Sequence, residues 1–291
     1  GAASNSLDGL PNQVATAGAN AVRQALTQGP SSQSAAQAKA KNKGSLEGII
    51  KNRQVGDITF PKTAYQYLIE LRNNRQPFSI DDICQGLFSL LRHLSWWRFD
   101  LVGYSLGGLV ALELNHQAAM ELNGEHQPDF LIAKMCLIEP ALFSDSSLAS
   151  ALAFRQSFVP LAENIQAEPD NEAHFVQFLD LVSPHRMRQP KADKIAVQRL
   201  QSRPYGFANA LFAVSNYAQT LDEYSLQRLL AAVPAGVGIV GGLSGEGLLL
   251  AQQKIQSVQP HWDIEVLQNM DHGLVYVRPK QVAQLIDQYL F

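Results

Sequence analysis

Ser105 sits between two close glycines in the stretch Phe99-Asp100-Leu101-Val102-Gly103-Tyr104-Ser105-Leu106-Gly107-Gly108-Leu109-Val110-Ala111-Leu112-Glu113-Leu114. A serine hydroxyl becomes a useful nucleophile only when a base takes its proton and a third group orients that base. The stretch reads as a short apolar strand, a glycine-flanked serine and a helix. Gly103 and Gly107 leave room for a sharp strand-to-helix turn, which would stand the Ser105 hydroxyl clear of a sheet. The helix that follows aims its first N–H groups at the same place, so the Leu106 amide is the expected donor to a developing oxyanion.

A base and an acid must then reach the same edge. Of the seven histidines, His93, His116, His126, His174, His185 and His261 fall on predicted helices or polar loops. His272 instead follows the last predicted strand and precedes Gly273, which permits a tight bend, and it is the expected base. Two acids compete to orient it. Glu139 ends the strand after the serine turn and so emerges at the edge where Ser105 stands; Glu246 follows the strand before the histidine loop. Asp271 is expected to cap its own loop.

The elements that must position these groups follow in order. Ser79 and Asp82 form a capping-box variant, and Ile80, Ile83, Leu87, Leu90, Leu91 and Leu94 recur at helical spacing, so a helix leads into the serine strand. Phe130 to Ile138, Val237 to Val240 and Asp263 to Leu267 read as further buried strands, and a helix from Pro279 to Leu290 closes the chain. Between Glu139 and Val237 only helical patterns occur: Leu148 to Phe158, His174 to Val182, Ile195 to Leu200, Ala208 to Tyr217 and Tyr224 to Ala232. Ahead of the serine helix, Ile58 to Phe60 reads as a short strand and Tyr65 to Leu71 as a helical turn or two.

Gly103 to Gly108 resembles, without a gap, the nucleophile elbow of the α/β-hydrolase fold, and the order serine, acid, histidine is that of the same family. The resemblance spans roughly residues 78 to 291. It implies an α/β fold, a mostly parallel sheet flanked by helices with an all-helical lid inserted. The segments expected are a low-complexity stretch at 1–45, the first part of the core with the elbow at 46–140, the lid at 141–232 and the rest of the core at 233–291. In most of the family the acid occupies the later position, where this chain shows Gly242, Leu243, Ser244 and Gly245. Leu137-Ile138-Glu139-Pro140 is similar to thioesterase domains, whose acid follows the earlier strand, and this favours Glu139 with Glu246 as the alternative.

The resemblance implies a serine hydrolase that cleaves an acyl ester or thioester through an acyl-serine, with no metal or organic cofactor. Some relatives with a Gly-Tyr-Ser elbow perform eliminations or carbon-carbon cleavage instead. Departures lie before the elbow, where no strand ending in a His-Gly loop is legible, so the second oxyanion donor has no visible source. Missing segments, a catalytically degenerate scaffold subunit, or a second chain adding a strand would each account for that.

Composition narrows the classes further. At 291 residues, 46% of them hydrophobic, the chain can bury a large core, and its net charge of −3 argues against nucleic acid as a partner. Cys84 and Cys136 fall on a predicted helix and strand and are expected as core thiols in a reducing, intracellular compartment. No apolar run reaches the about twenty residues of a transmembrane helix. Residues 1–45 are rich in Ala, Gln, Ser and Gly, with a short helix expected at Val14 to Leu26; such a segment orders only against something else, either a protein partner docking there or the body of the protein.

Overall fold

The computed structural model describes residues 76–122, 130–142 and 147–291. The expectations placed on residues 1–75 and on the loop near 123–128 lie outside them. Along the described chain run α1 (Ile80–Leu94), β1 (Arg98–Tyr104), α2 (Leu106–Leu122), β2 (Leu131–Ile138), α3 (Leu148–Gln156), α4 (Phe158–Ala167), α5 (Glu172–Val182), α6 (Pro190–Gln201), α7 (Pro204–Gln219), α8 (Glu223–Ala231), β3 (Gly236–Gly241), α9 (Glu246–Val258), β4 (Trp262–Leu267), α10 (Leu274–Val277) and α11 (Pro279–Leu290).

The chain divides into two compact units. Of the first, Gly1–Arg72 with Leu87–Phe99, the described part runs from the second half of α1 to the start of β1. The second comprises Asn73–Gly86 with Asp100–Phe291. Helix α1 starts as its sequence dictates. The Ser79 amide donates to Asp82 Oδ2 at 2.7 Å while the Asp82 amide donates to Ser79 Oγ at 3.0 Å, a reciprocal cap that satisfies two otherwise orphaned amides.

The sheet has the order β1-β2-β3-β4. β2 pairs parallel with β3 from Met135↔Gly236 to Ile138↔Ile239, and β3 pairs parallel with β4 from Gly236↔Trp262 to Gly241↔Leu267. Strand β3 and the second half of β2, Met135 to Ile138, are buried throughout, as in a parallel sheet with both faces covered. One face packs Cys136, Ile138, Val237, Ile239 and Leu267 against Leu274, Val282 and Leu290 of the two C-terminal helices. Cys84 and Cys136 are both free and buried, and burial pushes each thiol up to about 12.

Between β2 and β3 the described residues are helical. The helix expected at Leu148 to Phe158 is α3, which ends at Gln156, and a further helix that the sequence did not announce, α4, starts at Phe158 after Ser157. These helices build a core of their own, in which Phe158, Leu161 and Ile165 of α4 meet Phe175, Val197, Ala208 and Leu211. Its rings meet edge to face, Phe154 with Phe158 at 5.0 Å and Phe178 with Phe207 at 4.7 Å. Arg155 is buried beside them, its guanidinium 5.2 Å from the Phe154 ring and 5.3 Å from that of Phe158. Among the described residues its Nε meets no acceptor, and burial lowers its pKa to about 9.

No helix among the described residues is long and apolar enough to cross a membrane.

Candidate active site

β1 ends at Tyr104 and α2 begins at Leu106, so Ser105 is the whole of the turn between them. Its φ of 53° lies in the left-handed region, which a non-glycine residue adopts only where its surroundings impose it. The Ser105 amide donates to the Ile138 carbonyl at 3.0 Å, and the Ser105 carbonyl accepts from Gly108, Leu109 and Ala141 at 2.9, 3.2 and 2.9 Å. The turn is thereby pinned to the end of β2 as well as to its own helix.

The glycines divide this work differently from the sequence expectation. A Cβ on Gly103 would lie 2.5 Å from the Gly107 carbonyl oxygen and 2.7 Å from Gly108 Cα, so the helix start could not fold back over the strand. On Gly108 a Cβ would meet Pro140 Cα and Cβ, each at 2.8 Å. At Gly107 it would meet nothing within 4 Å among the described residues. The close approaches belong to Gly103 and Gly108, and the space at Gly107 is open.

Ser105, His272 and Glu139 meet in sequence. His272 Nε2 lies 3.0 Å from Ser105 Oγ, and His272 Nδ1 lies 2.6 Å from Glu139 Oε2. A carboxylate oxygen only accepts, so Nδ1 carries the proton and Nε2 is left to accept from the serine hydroxyl. Glu139 is fully buried, with a φ of 44° that turns it out of β2. Its other oxygen, Oε1, accepts from the Gly241 amide at 2.7 Å and from Ser244 Oγ at 2.5 Å. A buried charge is tolerable only when its lone pairs are occupied, and here three donors converge on it.

Glu246 stands elsewhere. It is exposed in the first turn of α9, where a negative charge suits the helix dipole. Asp271 accepts from the Gly273 amide at 2.8 Å within its own loop. Leu106 is the first residue of α2, so its amide has no carbonyl to bond within the helix. Of the other histidines, His174 pairs with Glu168 at 2.8 Å.

Four contributors were not singled out from the sequence: Gly241 and Ser244 on the acid, and Tyr104 and Ser183 on the histidine. Tyr104 OH donates to the His272 carbonyl at 2.6 Å, and the His272 amide donates to Ser183 Oγ at 3.1 Å. Only the Gly-Gly-Leu-Ser run after β3 carried a visible signal, a loop at the sheet edge with hydrogen-bonding residues and no Asp. Among the described residues no three His, Cys, Asp or Glu side chains gather as a metal site.

The Alpha/beta hydrolase family model matches residues 76–285. Among solved structures, MenH from S. aureus is similar over 73% of this chain and 75% of its own, at 19% identity and a TM-score of 0.55. A thermophilic esterase from Thermogutta terrifontis is similar over 73% and 72%, at 19% identity and a TM-score of 0.53. A structure of the carboxylesterases of the thaumarchaeon Nitrososphaera gargenis is similar over 73% and 71%, at 19% identity and 0.51. At such identities the likeness is one of fold. No curated protein matches the sequence. The matched stretch contains the serine turn, the acid after β2 and the histidine after β4, and the chain belongs to the alpha/beta hydrolase family.

Proposed function

We propose that this protein is a serine hydrolase of acyl esters or thioesters, with Ser105 as nucleophile, His272 as general base and acid, and Glu139 as the orienting carboxylate. The observation that carries the reading is the unbroken run of hydrogen bonds from Ser105 Oγ through both imidazole nitrogens to a buried carboxylate. In the first half-reaction His272 Nε2 takes the Ser105 proton as Oγ bonds to the carbonyl carbon. The oxygen gains the negative charge and accepts from the Leu106 amide. The imidazolium is held by Glu139, whose other oxygen accepts from the Gly241 amide and the Ser244 hydroxyl. Collapse breaks the ester or thioester bond, and Nε2–H passes its proton to the leaving alcohol or thiol. Water repeats the cycle on the acyl-serine and frees the acid.

The helices between β2 and β3 serve in this reading as the lid over the acyl group, with an apolar acyl chain as the substrate part they would shelter. Two free, buried thiols accord with a reducing, intracellular setting. A scaffold without catalysis finds no support in a site this fully connected.

A fluorophosphonate probe tests the reading directly. Labelling of the full chain that disappears in Ser105→Ala is expected, followed by turnover of p-nitrophenyl esters of graded chain length. A folded protein that neither labels nor turns over these esters would overturn it.

A further inference from the structure

Two side chains far away in the sequence hold the backbone of His272. The loop from β4 to α10 makes local bonds at Met270, Gly273 and Leu274, to Leu267, Asp271 Oδ1 and Asp271 respectively. Its own residues supply neither an acceptor for the His272 amide nor a donor for the His272 carbonyl. The acceptor is Ser183 Oγ at 3.1 Å and the donor is Tyr104 OH at 2.6 Å.

These partners differ in origin. Tyr104 ends β1, beside the nucleophile, and burial raises its phenol pKa, with Tyr276, Glu139 and Asp271 adding to the rise, so it remains a donor at any working pH. Its ring lies 5.1 Å from the imidazole. Ser183 belongs to the helical insertion. It is buried just past the C-terminus of α5, where its own amide donates to the Leu179 carbonyl at 3.1 Å, so its backbone is held by the helix. A second tie comes from α6, whose Arg199 guanidinium covers the Tyr276 ring at 4.6 Å, and Tyr276 in turn meets Tyr104 edge to face at 6.1 Å. The insertion thus grips the histidine segment before and after the imidazole.

We propose that Ser183 is a positioning residue for His272, through which the helical insertion sets where the base stands. The inference rests on the triad reading above. His272 must meet Ser105 at 3.0 Å and Glu139 at 2.6 Å at the same time, and its side chain can do so from only a narrow range of backbone placements. Without the Ser183 hydroxyl the amide loses its partner, and the loop turns to find another.

The test uses the full chain with Ser183→Ala and Ser183→Thr, the latter keeping a hydroxyl. Steady-state kinetics on a p-nitrophenyl ester are read beside the downfield proton resonance of His272 Nδ1–H, which is identified by its absence in His272→Gln. Ser183→Ala is expected to lower kcat on the order of ten- to a hundredfold with KM within about twofold, since a misplacement of about 1 Å has that scale of cost. It should also broaden or shift the Nδ1–H resonance, and Ser183→Thr should restore both. Wild-type kcat and resonance in Ser183→Ala would overturn the proposal. So would a loss that Thr does not restore while the resonance stays unmoved, because that marks a merely structural role. If the wild-type chain fails to label with the fluorophosphonate, the triad reading falls, and an unmoved resonance in Ser183→Ala then rejects the positioning role by itself. Should Ser183→Ala not fold, Ser183→Cys replaces it and is read by the same kinetics and resonance.

Discussion

The loops after β2 and β3 sit side by side at one edge of the sheet and have taken opposite parts of one task. The first supplies a charge, Glu139, on a residue whose backbone is twisted to a φ of 44°. The second supplies only donors, the Gly241 amide and the Ser244 hydroxyl, which solvate that charge. Its own acid, Glu246, has gone to the first turn of α9 and into solvent. The imidazole thus meets a carboxylate carried by β2 although β3 lies between β2 and the strand that leads to the histidine. A neighbouring strand can bear the charge if the strand between it and the histidine provides the hydrogen bonds.

Breaking the first loop is expected to have the largest effect. Glu139→Gln keeps the shape but lets the amide favour the wrong imidazole tautomer, and kcat should fall on the order of ten-thousandfold with the melting temperature little changed. Steady-state kinetics beside a thermal melt check both parts; a loss under tenfold would show that the acid lies elsewhere. Gly108→Val comes next, because a side chain there runs into Pro140 and pushes the Glu139 turn away from the serine helix. Overpacking of this kind costs about 1–3 kcal/mol, readable in denaturant midpoints, and fluorophosphonate labelling should slow with it.

Smaller changes sharpen the contrast. Ser244→Ala removes one of the two donors from Glu139 Oε1, and a hydrogen bond to a charge at about 1.5 kcal/mol translates to roughly tenfold in kcat. Glu246→Gln should leave kcat and KM within about twofold, the scale of an ordinary surface substitution. If the order of these two is reversed, the second loop carries the acid after all.

Much of the frame was legible because local rules acted alone. The Ser79-Asp82 pair and the apolar spacing of Ile80, Ile83 and Leu87 mark α1 at the residue where it starts. The apolar runs of β2 and β3 mark buried parallel strands, and Pro279 marks the start of α11. What escaped depends on pairing across the chain. Ser183 and Tyr104 are 89 and 168 residues from the histidine they hold, and no local pattern announces such a contact. Gly107 and Gly108 are adjacent and identical in type, and only the approach of Pro140 distinguishes them. Helix α4 follows α3 with only Ser157 between them, so no loop of turn-forming residues announces a second helix there. The four-residue α10 is too short for periodicity to register.

Arg155 has a consequence for alkaline stability. Its guanidinium lies among aromatic rings, and burial lowers its pKa to about 9 on folding. The buried charge opposes folding in full below about pH 9, and the opposition fades as the pH rises above it. The contribution of this one group should therefore turn less unfavourable between pH 8 and about pH 10, a direction opposite to that of a paired cation. Melting curves across that window for the wild type and Arg155→Met measure the difference. The variant should melt higher at pH 8, and its advantage should shrink toward pH 10; an advantage that does not change with pH would assign the effect to packing alone.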